Sequence, residues 1–214
     1  MVDGRPSRPG RHGVSRRTFV VGAAVGAIDV ALAGCSGRVD RPTATEAPMT
    51  TTADNPAMGD VTPTGGLELT SPAFADGGPI PREYGRHERD VNPPLRFAGV
   101  PADAASLALV MDDPDALEPA GRVWLHWLVW NVDPATTDVP TDWQPTGAVE
   151  GVNSFGERGY GGPAPPDRVH TYRFKGFALD RRLDLPPSAA EADVGSAMAG
   201  HVLAADQLEG TYAP

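Results

Sequence analysis

The sequence predicts a mainly β domain with one amphipathic helix near its C-terminus. Three observations carry that expectation. The 23 prolines and 25 glycines in 214 residues leave little room for long helices. Apolar residues come in short runs rich in β-branched and aromatic side chains, separated by turn residues. Helical spacing of apolar positions is clear in one stretch only, after Pro187. With 40% hydrophobic residues the chain can bury one sizeable core.

In chain order, the first segment reads as a leader and is set aside from the fold. Arg5, Arg8, Arg11, Arg16 and Arg17 make it basic, and Ser15-Arg16-Arg17-Thr18-Phe19-Val20 has the twin-arginine form. An apolar run from Val20 to Ala33, interrupted by Asp29, is of signal-peptide length and too short to span a bilayer comfortably. It ends in Leu32-Ala33-Gly34-Cys35, which resembles the lipobox of bacterial and archaeal lipoproteins. The alternative is an ordinary membrane anchor with a chance cysteine. Because twin arginine, apolar run and lipobox coincide in the right order, residues 1–34 are expected to be a signal peptide and Cys35 the lipid-attachment site. The product would sit on the outer face of the cytoplasmic membrane. Residues 35–66, rich in Thr, Ala, Pro, Asp and Gly, are expected to form a disordered tether with a reach of about 30 Å.

The folded domain is expected over residues 67–214. Leu67 to Thr70 alternates as a strand, and a turn-rich stretch follows to Pro81. Asn92 to Phe97 is a short extended piece, and Ser106 to Met111 a buried strand running into Asp112-Asp113-Pro114-Asp115. The most apolar run, Val123 to Asn131, reads as a central strand covered on both sides. Strict alternation puts Val123, Leu125, Trp127 and Val129 on one face, with Trp124, His126, Leu128 and Trp130 on the other. A long loop from Pro134 to Pro166 leads to a strand from His170 to Leu179. Ser188-x-x-Glu191 then has capping-box form, and Val194, Ala197, Met198, His201, Val202, Ala205 and Leu208 recur at helical spacing up to Gly210.

Charge narrows the choice of partners. The formal net charge is −10, with Lys175 the only lysine among 18 basic residues. Without residues 1–34, 13 basic and 26 acidic residues remain, a net of −13. So acidic a surface excludes nucleic acid as a partner, since backbone phosphates would be repelled. It suits solubility in high salt, or reflects codon bias. One cysteine forms no internal disulfide and builds no cysteine metal site.

Three polar groups lie at the edges of the expected elements. Asp112-Asp113-Pro114-Asp115 ends a strand where proline stops pairing, leaving carboxylates at a rim; for Asp112 a solvated turn is the favoured reading. His126 stands alone among large apolar side chains, where a histidine is more often a satisfied core residue than a ligand. The loop Gly159 to Pro166 could converge its amides as an anion-binding nest. After it, His170, Tyr172 and Phe174 share a face. Two imidazoles, a phenol and carboxylates suit a phosphate-bearing guest, the first two as donors and the last as acceptors from an ammonium.

Asp113-Pro114-Asp115, Trp124-x-His126-Trp127, Gly151-Val152-Asn153-Ser154-Phe155-Gly156, Gly159 to Pro166 and His170-x-Tyr172-x-Phe174, in that order, resemble the phosphatidylethanolamine-binding protein family in its Raf-kinase-inhibitor-like branch of bacteria and archaea. The resemblance spans residues 67 to 212. It implies a Greek-key sandwich of two antiparallel sheets with a small anion pocket at one end. Asp113, Asp115, Trp124, His126, His170 and Tyr172 would bind the ligand, and Gly162, Pro165 and Pro166 would form the wall. Leu117 replaces a family proline and Thr171 a family arginine, the second removing a charge opposite His170.

The function expected is a binding protein, anchored to the membrane by lipid, that takes a phospholipid headgroup or a phosphorylated small molecule. An alternative is an interaction protein that inhibits a partner enzyme such as a serine protease, as relatives do. No nucleophile accompanies the histidines, so neither catalysis nor a cofactor is expected. A metal held by His126, His170, Asp113 and Asp115, or a His/Asp acid–base pair, would make an enzyme, but no metal-ligand spacing supports it.

Overall fold

The computed structural model describes residue 57 and residues 59–214. The expected signal peptide, Cys35 and most of the expected tether lie outside them. Nine strands are described: β1 (Glu68–Thr70), β2 (Gly78–Pro79), β3 (Leu95–Ala98), β4 (Ser106–Asp113), β5 (Trp124–Val132), β6 (Asp138–Val139), β7 (Val149–Glu150), β8 (His170–Leu179) and β9 (Val202–Tyr212). Two helices join them, α1 (Leu117–Ala120) and α2 (Glu191–Met198).

The strands form two sheets, one ordered β2-β9-β8-β4-β5-β7 and a smaller one ordered β1-β3-β6. Pairing is antiparallel except at one edge, where the two residues of β2 run parallel to β9. The expected mainly β, two-sheet plan is therefore present. Strand β4 is buried at every position and β5 from Leu125 onward, so this sheet is covered on both faces. On one face, Leu109, Met111, Trp127, Val129 and Phe174 pack against Leu69, Leu95, Phe97 and Val139 of the smaller sheet. On the other, Val110, Leu128, Trp130 and Phe177 are covered by Leu183 and by Val194 and Met198 of α2. Full burial of each such large side chain stabilises the fold by about 2 to 3 kcal/mol.

Two expectations need correction. The predicted helix to Gly210 stops at Met198. Gly200 turns the chain in a left-handed conformation, φ 77°, and Val202 to Tyr212 extend as β9. That strand pairs with β8 from His170↔Tyr212 to Leu179↔Val202, and the ladder overrides the helical spacing of Val202, Ala205 and Leu208. The helix start also moves, since the N-cap is Ala190, whose N–H donates to the Asp193 carboxylate at 3.0 Å.

The second correction concerns β5. Met111 pairs with Trp127 but Asp112 pairs with Leu125, so His126 is the extra residue of a β-bulge. Past the bulge the faces exchange. Trp127 and Val129 belong to the core between the sheets, while Leu125, Leu128 and Trp130 lie in the core under α2.

Contacts of the domain also begin upstream of Leu67. Thr64 bridges Ala205, Val61 N–H donates to Gln207, and Lys175 donates to the Ala57 carbonyl.

Candidate functional site

The end of β4 and the beginnings of β5 and β8 meet at one end of the larger sheet, because β4 is antiparallel to both neighbours. Asp113, Trp124 and His170 are therefore brought together from distant parts of the chain. With His126 they line a cavity of about 190 Å³. Its remaining wall is apolar: Ala116, Pro119 and Ala120 on one side, Phe155, Ala164 and Pro166 on the other.

The His126 ring is held by the glycine-proline loop. Its Nδ1 lies 2.6 Å from the Gly161 carbonyl oxygen, and Gly161 N–H donates back to the His126 carbonyl at 2.9 Å. Nδ1 must carry the proton in that contact, so in the neutral ring Nε2 is an acceptor. Burial pushes the His126 pKa below the ordinary histidine value, against the Gly161 hydrogen bond and the Asp113 charge. The imidazole packs edge-on to Tyr172 at 5.1 Å and to Phe155 at 5.5 Å between ring centroids. Phe155 in turn meets Trp124 at 5.4 Å. Asn153 fixes this wall by accepting from the N–H groups of Phe155 and Glu157 and donating to the Gly159 carbonyl.

Both nitrogens of His170 are engaged by carboxylates. Nδ1 lies 2.7 Å from Asp113 Oδ2 and Nε2 2.9 Å from Asp167 Oδ1. Burial opposes charge on this ring, but the two hydrogen bonds outweigh it and raise the pKa above the ordinary histidine value. The hydrogen bond from His170 holds the Asp167 carboxyl below its usual range. The Asp113 Oδ1 atom accepts from Ala116 N–H at 3.0 Å, capping the turn Pro114–Ala116.

The acidic run thus divides. Asp113 lines the cavity; Asp115 does not, and instead accepts from Thr171 N–H at 2.8 Å and pairs with Arg168. Asp112, read as a solvated residue, is fully buried on the opposite face. There it takes two bonds from Arg173 and one from Lys175, each at 2.6 to 2.7 Å. Arg173 and Lys175 alternate with His170, Tyr172 and Phe174 along β8 and so lie on that face, which the fold closes.

The other expected site residues are positioned as follows. Pro166 lines the cavity, whereas Pro165 lies behind it in a separate groove with Arg82 and Tyr212. Gly162 packs against the backbone of Tyr84 and Arg86, where a Cβ would collide, and its N–H donates to Asp90 at 2.7 Å. Tyr172 is buried beneath His126 rather than in the lining, and its hydroxyl has no hydrogen bond of good geometry. Burial and the Asp113 charge hold its pKa well above the usual phenol value. The Trp124 indole N–H is also buried without a partner. The nest reading of the loop does not hold for Gly159, Gly161 and Gly162, whose amides donate to Gly151, His126 and Asp90. Phe155 and Asp167 were missed as site residues, although Phe155 lies in a quoted motif and Asp167 directly follows the diproline.

Among the described residues, no group of three or more His, Cys, Asp or Glu side chains converges in a way that could hold a metal ion. A two-sheet β-sandwich with a recessed, histidine-bearing cavity at the end of its larger sheet is the class defined by this geometry. The phosphatidylethanolamine-binding protein family model matches residues 70–213, and the chain belongs to that family. A UPF0098 protein of Methanothermobacter thermautotrophicus is 45% identical over 151 residues, covering 68% of this chain and 98% of its own. A crystal structure of a phosphatidylethanolamine-binding protein homolog from Chlamydia trachomatis, 38% identical, superposes with a TM-score of 0.66 over 70% of this chain and 98% of that one. A Mycobacterium tuberculosis protein named as the lipoprotein LppC is 38% identical over 190 residues, 87% of this chain and 92% of its own.

Proposed function

We propose that the protein is a lipid-anchored, extracytoplasmic binding protein whose cavity takes a phosphate-bearing headgroup or a phosphorylated small molecule. The observation that carries this reading is the convergence of His126 and His170 on one cavity, with His170 Nε2 already holding a carboxylate oxygen. An oxyanion is thus a fitting partner for that nitrogen. The unpartnered Trp124 N–H at the wall supplies a further donor. The rest of the lining is apolar, so polar contacts made there meet little competition from the wall.

Titration calorimetry of the full chain tests this with inorganic phosphate, phosphoethanolamine and phosphatidylethanolamine vesicles. Saturable binding of phosphoethanolamine is expected, and His126→Ala should abolish it. Equal binding by the variant would reject the site. Binding of vesicles but not of the soluble headgroup would assign the ligand to the lipid surface.

The anchor rests on Cys35 and on the lipoprotein-named relative, whose match covers more of the chain than the domain from Leu67 onward can supply. Cys35→Ser is expected to move the protein from the membrane to the soluble fraction; retention at the membrane would reject lipidation as the anchor.

A further inference from the structure

We infer that Asp167 is an internal competitor for the cavity's guest: from just outside the lining its carboxylate holds Nε2 of His170, a lining residue, and must leave before an external phosphate can bind that nitrogen. This rests on the phosphate reading of the cavity and adds a residue that sets its affinity and selectivity.

The geometry is specific. Asp113 takes Nδ1 of His170 and Asp167 takes Nε2, so the ring has no free N–H and its side chain no accessible surface. Asp113 is buried and tied to the turn after β4 by the Ala116 amide, so it is a fixed partner. Asp167 is the movable one. Its side chain is 45% exposed, and it belongs to the loop between Pro166 and β8 rather than to a strand. Its second oxygen, Oδ2, already accepts from Arg168 Nη1 at 3.0 Å, and Arg168 N–H donates to Oδ1 at 3.0 Å. On leaving His170 the carboxylate therefore keeps a cationic partner and solvent, so displacement does not strand a charge.

Selectivity follows from exchange of one anion for another. A guest gains at His170 only to the extent that it binds Nε2 better than a carboxylate does. A phosphate, with more oxygens and more charge, meets that condition; a monocarboxylate of similar size does not.

The test is calorimetric titration of the full chain and of its Asp167→Ala and Asp167→Asn variants with phosphoethanolamine and with acetate. Removing the competitor is expected to tighten phosphoethanolamine binding by about tenfold and to give measurable acetate binding, with none expected for the parent protein. Asp167→Asn, a neutral side chain of the same shape, should fall between the two. Equal or weaker phosphoethanolamine binding by Asp167→Ala, with the parent protein binding normally, would overturn the competitor role and leave the cavity reading standing. Absence of binding by all three proteins would overturn both. Asp167 is exposed and packs in neither core, so loss of folding does not confuse the outcome; a thermal melt confirms it.

Discussion

His126 and Gly161 hold each other by two hydrogen bonds, ring Nδ1 to carbonyl and amide to carbonyl, across a gap of 35 residues. The contact fixes the tautomer of the only cavity histidine not engaged by a carboxylate. The neutral ring therefore turns an acceptor, not a donor, toward a guest.

A pH dependence follows. Because burial lowers the His126 pKa, the ring is neutral at pH 7, and its Nε2 lone pair repels a fully ionised phosphate. Binding requires a proton, either on Nε2 or on the phosphate oxygen that meets it. Phosphoethanolamine affinity is expected to fall as pH rises from 6 to 8, with uptake of a proton on binding. Calorimetry in buffers of different ionisation enthalpy measures that uptake; release of a proton would contradict the assignment.

The His170 contacts make stability depend on pH in the opposite region from a typical carboxylate. Asp113, Asp115 and Asp167 face the ring, with Arg168 beyond them, and its folded pKa is raised above the unfolded value near 6.5. The imidazolium contribution is then complete below about pH 6.5 and is lost as pH rises through the folded pKa. His170→Gln is expected to cost about 2 kcal/mol near pH 5.5 and less at pH 8.5. Denaturant melts at the two pH values check this; equal losses would mean that the ring is neutral throughout.

On the far face of the sheet, Lys175 and Arg173 share the buried Asp112. Removing one cation from a closed site leaves the carboxylate under-compensated, so Lys175→Met is expected to destabilise by about 3 kcal/mol. A double variant, Asp112→Leu with Lys175→Met, should lose less than the two single losses combined. Additive losses in urea unfolding would show that the two groups do not interact.

Gly162 is a steric requirement of the cavity wall. Its φ is unremarkable, but a Cβ would strike the Tyr84 carbonyl and the Arg86 amide, both backbone atoms. Gly162→Ala is therefore expected to displace the loop and cost roughly 1 to 3 kcal/mol, with weaker guest binding. An unchanged melting temperature would place the loop farther from that backbone.

Much of this arrangement is legible in the linear order of residues. Strand β8 runs from His170 to Leu179 as its alternation predicts, and the same alternation separates His170, Tyr172 and Phe174 from Arg173 and Lys175. Side-chain alternation and turn residues are local, so a single segment suffices to show them. The family motifs likewise contain His126, His170 and Asp113, which the fold brings to one cavity.

What only tertiary structure decided was everything that depends on a neighbouring strand. Nothing within Val123–Asn131 signals that one residue is unpaired; the bulge at His126 arises from its register with β4, and it exchanges the faces from Trp127 to Trp130, until a second shift in register before Val132. Nothing within Val202–Leu208 rejects a helix; the ladder with β8 does so, by pairing backbone groups that a helix would have satisfied internally. Asp112 reads as a surface acid until two cations from β8 are placed on its side of the sheet. Local sequence marks the longer strands other than β9, and the chemistry they carry. The partners of each strand, which are far away in sequence, set which side chains meet.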